Sequence, residues 1–192
     1  MPSHTLSKAV FLDRDGVINK DHGYVFEPES FEFISGVFDA CLHFQALGYK
    51  LVVVTNQSGI ARGYYTEAQF HALSRWMCET FRHHGVHIAG VYYCPHHPTQ
   101  GHAPYVQDCN CRKPHPGMLL KAIEEHHIDP ASSLMLGDKA ADMQAAAAAG
   151  VGYKVLVQTG QPFSAADAAQ ADAVWESLYD ACTRWPLASR QS

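Results

Sequence analysis

The sequence carries little charge and no excess of positive charge. Lys and Arg number 14 against 19 Asp and Glu, charged residues make up 17% of the 192 positions, and the net charge is −5 with histidine neutral. A nucleic-acid coat or an anionic-membrane binder wants a basic surface, so both classes are excluded as general activities. A local cationic pocket for a small phosphorylated molecule is not excluded. Long apolar runs are also missing: nothing approaches the ~20 residues of a membrane span. The apolar run before Asp13 extends only from Ala9 to Leu12, too short for a secretory signal core. A cytoplasmic location is therefore expected, with no membrane or nucleic-acid partner and with the chain acting as a monomer. Six cysteines are present, but a chain of this size without a secretory leader rarely carries a disulfide framework.

What the sequence does have is a 47% hydrophobic composition and a length that suits one domain over 1–192. Five short runs, Val10–Leu12, Leu51–Val54, Val91–Tyr93, Leu134–Leu136 and Val155–Val157, are apolar without alternation, as in parallel strands covered on both faces. Helices are expected between them. Val37, Ala40, Cys41, Phe44 and Leu47 recur at helical spacing and Gly48 provides a stop. Thr66 opens a capping box ahead of the stripe Phe70, Leu73, Met77 and Phe81, ending at about His83. A third helix is expected over Met118–His126 behind Pro116, and a fourth over Asp142–Ala149 before Gly150. The predicted fold is α/β: a mainly parallel Rossmann-like sheet with helices on both faces, one inserted loop over about 94–111 and no large cap domain. The stretch around Ala165–Ala171 is expected to be helix or loop, the tail from about Leu187 to fray, and the region after Gln158 offers no motif.

Ligands of such sheets bind at the carboxyl ends of the strands. Three strands end there in polar residues: Asp13, Thr55 and Asp138. Asp13-Arg14-Asp15-Gly16 puts two carboxylates on one side of an extended chain, with Gly16 to turn it. Thr55-Asn56-Gln57-Ser58-Gly59 offers hydroxyls and backbone N–H groups to phosphoryl oxygens. Arg112-Lys113-Pro114 supplies two cations before a helix, and Gly137-Asp138-Lys139-Ala140-Ala141-Asp142 adds an acid at a strand end and another one turn later. Any of these alone is ordinary turn or surface chemistry. Together they describe a site for a phosphate monoester, whose negative charge repels a carboxylate nucleophile unless Lys113 and a hard divalent cation cancel it.

The four motifs, in this order over roughly Val10 to Gly150, resemble the haloacid dehalogenase-like (HAD) phosphatase superfamily. The resemblance implies Asp13 as the nucleophile, forming an aspartyl-phosphate. It implies Asp15 as the acid and then the base, with a side chain able to carry a proton. Thr55 and Lys113 would hold phosphoryl oxygens. Mg²⁺ would be bound by the carboxylates of Asp13 and Asp138 and the backbone carbonyl of Asp15. Asp142 would orient Lys139 or a metal-bound water.

Cys94-Pro95-His96, followed by Cys109-Asn110-Cys111, offers four ligands in two tight pairs, suited to a closed tetrahedral Zn²⁺ site. Free thiols are the other reading, and His97 and His102 are rival ligands. A zinc loop before Arg-Lys-Pro resembles one branch of the superfamily, which includes heptose bisphosphate and histidinol-phosphate phosphatases. In that branch Cys94, His96, Cys109 and Cys111 match the ligands of a structural zinc that aims Arg112 at substrate. Cys41 and Cys78 fit helix cores. The stretches Phe11–Asn19, Asp21-His22-Gly23-Tyr24, Thr55 to Gly63, Tyr92 to Pro98 and Cys111–Leu120 resemble the heptose bisphosphate phosphatases in particular. That implies loss of the 7-phosphate of a heptose 1,7-bisphosphate, the β-anomer favoured, on the way to lipopolysaccharide. Asp21, His22, Gly23, Tyr24, Asn56, Gln57, Ser58, Arg112 and Lys139 would meet the sugar or its second phosphate. Alternatives are histidinol phosphate, another small phosphate ester, or an inactive zinc-stabilised binding module.

Overall fold

The computed structural model describes residues 5–186; the tail expected to fray from Leu187 lies outside them. Six parallel strands form one sheet in the order β3-β2-β1-β4-β5-β6. They are β1 (Lys8–Leu12), β2 (Tyr49–Asn56), β3 (Ile88–Cys94), β4 (Leu134–Gly137), β5 (Tyr153–Val157) and β6 (Ala173–Trp175). Five cover the expected runs and extend them by one to three residues at one or both ends. The sixth, Ala173-Val174-Trp175, lies at the sheet edge between Asp172 and Glu176 with only Trp175 buried, so no apolar core run marks it.

The strands are buried on both faces, which is why they do not alternate. Val10, Leu12, Val53, Leu136 and Val155 face one core with α1 (Val37–Ala46) and α2 (Glu67–His83). Ala9, Phe11, Val52, Met135 and Leu156 face the other, with α3 (Gly117–His126) and α4 (Ala140–Ala148). The capping box at Thr66 forms as expected, and Phe70, Leu73, Met77 and Phe81 are all buried. Gly48 and Gly150 follow their helices with φ of 86° and 80°, the left-handed backbone that suits glycine. The C-terminal region contributes β6 and two four-residue helices, α5 (Ala165–Ala168) and α6 (Ala181–Arg184). Trp175, Leu178 and Ala181 are buried in the first core. Cys41 is buried there too, and Cys78 packs against it.

Strand order reverses between β1 and β4, which pair directly. The crevice at their carboxyl ends is where such a sheet binds ligands. Asp13 leaves β1 there and Asp138 leaves β4 there, and the Asp13 N–H donates to the Leu136 carbonyl at 3.0 Å. Among the described residues, no insertion between strands builds a separate folded layer over this edge.

Candidate active site

Three carboxylates meet at the crevice. One oxygen each from Asp13, Asp138 and Asp142 lies within 4.8 Å of the others. Lys113 is the fixed countercharge. Its side chain is almost wholly buried, with Nζ 3.0 Å from Asp13 Oδ1 and 2.7 Å from Asp142 Oδ1, and it donates to the Val54 carbonyl at 2.8 Å. Burial alone would drive its proton off, but Asp13 and Asp142 outweigh burial and hold the ammonium more firmly than usual. The Lys113 backbone is fixed as well. Asn56 accepts its N–H at 3.0 Å and donates to its carbonyl at 3.1 Å.

The other Asp142 oxygen accepts the backbone N–H groups of Asp138 and Lys139, both at 3.1 Å. Asp142 thus orients Lys139 as expected, by way of the Lys139 backbone N–H. Its two oxygens hold Lys113 and cap the start of α4, where a carboxylate meets unpaired N–H groups. Asp13 and Asp138 are left to hold a cation. Burial raises the pKa of both, against the attraction of Lys113 for Asp13 and of Lys139 for Asp138. Asp138 Oδ1 is buried with no hydrogen-bond partner, and Lys139 Nζ stands 4.0 Å away. An orphaned carboxylate oxygen beside a second crowded carboxylate, with oxygen donors only, fits a hard divalent cation.

The sign of that crowding gives a stability prediction. A carboxylate whose folded pKa is raised loses folding stability as pH rises from its unfolded value through its folded one. At neutral pH, Asp138→Asn should therefore raise the melting temperature in EDTA by a few degrees, while Mg²⁺ should stabilise only the parent protein. Calorimetry with and without Mg²⁺ checks both.

Asp15 lies on the other side of Asp13. It is bound by Arg14 Nη2 at 2.9 Å, Asn19 Nδ2 at 3.0 Å and Gln57 Nε2 at 3.1 Å. Burial pushes its pKa up, but the Arg14 charge and these hydrogen bonds prevail and lower it. In the free site these contacts favour the ionised carboxylate of Asp15. Thr55 is fully buried and its Oγ1 accepts from Gln57 Nε2 at 2.8 Å. Tyr65 O–H donates to Gln57 Oε1, which fixes which end of the amide faces Asp15.

A cleft of about 670 Å³ opens above these groups, lined among others by Asp21, Tyr24, Ser58, Arg112 and Lys139. That volume suits one small metabolite. Beside it Cys94, His96, Cys109 and Cys111 bring their ligand atoms within 4.8 Å of one another. Five of the six spacings lie between 3.1 Å (Cys111–Cys94) and 3.7 Å (Cys94–His96). Zn–S bonds of about 2.3 Å in a tetrahedron would space the sulfurs at ~3.8 Å, so the donor set has the size and chemistry for zinc. None of the six cysteines is joined in a disulfide. His97 is outside the cluster, its Nδ1 accepting the N–H groups of Thr99 and Gln100. His102 is outside it as well, packed near Gly63.

The 7-phosphatase of D-glycero-beta-D-manno-heptose 1,7-bisphosphate from Salmonella typhi is 58% identical to this chain over 172 residues, 90% of this chain and 92% of the relative. The enzyme of that name from Escherichia coli K12 is 57% identical, with 90% of each chain covered. The chain belongs to the D-glycero-beta-D-manno-heptose-1,7-bisphosphate 7-phosphatase family. A family model described as HAD-hyrolase-like matches residues 110–181. The crystal structure of the D,D-heptose 1,7-bisphosphate phosphatase of B. bronchiseptica with magnesium and phosphate superimposes with a TM-score of 0.78. It is 33% identical, covering 92% of this chain and 97% of that one. The chain is a phosphatase of the HAD superfamily.

The expected substrate contacts all border the cleft: Asp21, His22, Gly23, Tyr24, Asn56, Gln57, Ser58, Arg112 and Lys139 line it. The amides of Gln57 and Asn56 also brace Asp15 and Lys113. Asp21 accepts from Gly23 N–H at 3.1 Å and from Gln161 Nε2 at 2.8 Å, and His22 pairs with Glu32 at 3.0 Å. Sequence reasoning passed over Arg14, whose buried guanidinium also donates to the Val25 carbonyl at 2.7 Å. It passed over Tyr65 and the segment after β5 too. Arg14 sits inside a motif read for its two acids; the other two carry no pattern that marks them.

Proposed function

We propose that the chain, as one phosphatase domain, removes the 7-phosphate of D-glycero-β-D-manno-heptose 1,7-bisphosphate through an aspartyl-phosphate on Asp13. The observation that carries this is the pairing of Asp13 with a buried ammonium, Lys113, at 3.0 Å, facing Asp138 across the switch point of the sheet. Magnesium held by the carboxylates of Asp13 and Asp138 and the carbonyl of Asp15 would neutralise phosphoryl charge.

Lys113 Nζ and the Thr55 hydroxyl, which keeps its proton to donate, hold the phosphoryl oxygens. A carboxylate oxygen of Asp13 forms a bond to phosphorus as the bond to the sugar oxygen breaks. Asp15 gives that oxygen its proton. Ionised in the free site, Asp15 gains this proton when the phosphate dianion arrives, because a nearby anion raises carboxyl proton affinity. As a carboxylate again, it takes a proton from the water that attacks phosphorus, and the bond to Asp13 breaks to release inorganic phosphate. Arg14, Asn19 and Gln57 keep its carboxyl oriented through both steps.

Zinc bound by Cys94, His96, Cys109 and Cys111 would have no open position and so a structural role. It would end next to Arg112, whose Nη1 donates to the His96 carbonyl at 3.4 Å. From there the guanidinium can grip the second phosphate with paired hydrogen bonds. Arg112→Ala should raise KM for the bisphosphate about 10- to 100-fold, as expected for a hydrogen bond to a charged group. Initial rates on the two anomers of heptose bisphosphate and on histidinol phosphate test the assignment. Preference for histidinol phosphate would move the chain to another substrate with the same chemistry.

A further inference from the structure

The segment after β5 reaches into the active site at three points. Thr159 Oγ1 donates to the Gly16 carbonyl at 2.7 Å, on the turn that follows Asp15. The Gln161 N–H donates to Asp138 Oδ2 at 2.9 Å. The Gln161 side chain donates from Nε2 to Asp21 Oδ2 at 2.8 Å. Between them Gly160 lies so close to Asp138 that a Cβ would stand 2.1 Å from Oδ2, and a Cβ on Gly16 would stand 2.9 Å from Gly160 Cα. Two turns and a carboxylate are packed to the limit that glycine permits.

Asp21 spends its other oxygen on Gly23 N–H. The loop it steadies is costly to hold still. Gly23 and Tyr24 are consecutive left-handed residues, with φ of 79° and 52°, and His22, Gly23 and Tyr24 are all exposed. A side chain such as that of Tyr24 pays for left-handed backbone, so the conformation lasts only where neighbours hold it.

We propose that residues 159–161 form a clasp tying the cleft-facing loop 21–24 to the Asp138 turn, with Gln161 as the positioning residue for substrate affinity. Asp21 is then a strut held from behind by Gln161, and the loop that carries Tyr24 is placed through it. A loop held in its bound form before substrate arrives spares binding the cost of ordering it. The inference rests on the sugar-bisphosphate reading for its kinetic effect but not for its effect on the loop.

Steady-state kinetics on the heptose bisphosphate with Gln161→Ala, Gln161→Lys, Asp21→Ala and the Gln161→Ala, Asp21→Ala pair test it. Gln161→Ala should raise KM about 3- to 10-fold, the range for one partly exposed hydrogen bond, with kcat moved by less than about twofold. The double variant should be no worse than Asp21→Ala alone, and Gln161→Lys, which restores a donor to Asp21, should recover most of the loss. Additive effects of the two alanines, or a fall in kcat with KM constant, would overturn the proposal. Amide exchange at Gly23 and Tyr24 gives a second readout that needs no substrate. Exchange should quicken in Gln161→Ala; unchanged exchange would also overturn it, whereas quickened exchange in a protein inert to heptose bisphosphate would fault only the substrate assignment.

Discussion

Asp13→Asn will abolish turnover while leaving the fold intact. An amide oxygen is a poor nucleophile, and no neighbour can replace it. Asp142 is committed to Lys113 and the α4 start, Asp138 lies at the end of another strand, and Asp15 is turned toward Arg14, Asn19 and Gln57. The expected loss is about 10⁴-fold or more in kcat, typical of removing a group that forms the covalent bond. The fold should survive because Asn keeps the shape of Asp, Lys113 retains Asp142 as its partner, and one of three crowded carboxylates is gone. A melting curve at or above that of the parent, beside absent phosphate release, is the expected pair of results. Labelled water supplies the complementary check. Over many cycles in H₂¹⁸O the Asp13 carboxylate of the parent should stay unlabelled, with label going to phosphate, when water attacks phosphorus. Substantial turnover by Asp13→Asn would refute covalent catalysis at this position.

With zinc in the Cys94–Cys111 cluster, as proposed, its removal is expected to have the largest effect on stability. Zinc binding to such sites is worth on the order of 10 kcal/mol in small domains, and the loop from Pro95 to Asn110 has little buried side-chain surface of its own. Cys94 ties the cluster to the core: it is fully buried at the end of β3, and its carbonyl accepts the Gln57 N–H at 2.8 Å. Chelation, or Cys111→Ala, should lower the melting temperature markedly and open the loop to protease. The catalytic effect should divide along the chain. Arg112 adjoins Cys111 and loses its aim, so KM for a bisphosphate rises. Lys113, one residue on, is held by Asn56, Val54 and Asp142, so kcat on a simple phosphate ester should fall far less. Equal losses in both, or an apo-protein as stable as the metal-loaded one, would contradict this division.

The chemistry was legible in the sequence because it sits in short contiguous runs at strand ends. Asp13, Thr55 and Asp138 lie where uninterrupted apolar strands stop, and the doubly covered sheet makes those stops visible. The four zinc-type donors were legible for the same reason, as two tight pairs. Long-range tertiary bonds were not. Nothing local distinguishes Tyr65, eight residues from its Gln57 partner, or Gln161, which meets Asp21 across 140 positions. Asn56 and Gln57 were assigned to substrate by the resemblance; only the fold shows that their amides also brace Lys113 and Asp15. The ionisation of Asp15 depended on Arg14, whose role needs the loop that brings the Val25 carbonyl over it.

Asp142 shows how one carboxylate can bind two requirements together. It caps the start of a helix and balances the charge of Lys113, so most substitutions lose both, and even Asn, which can still accept the N–H groups, loses the charge. A random-mutation screen would score this position among the least tolerant in the chain, although it stands behind Lys113 as seen from the phosphoryl group. Intolerance at such a site reports on joint duty, and a map of the pocket drawn from tolerance alone would come out too large.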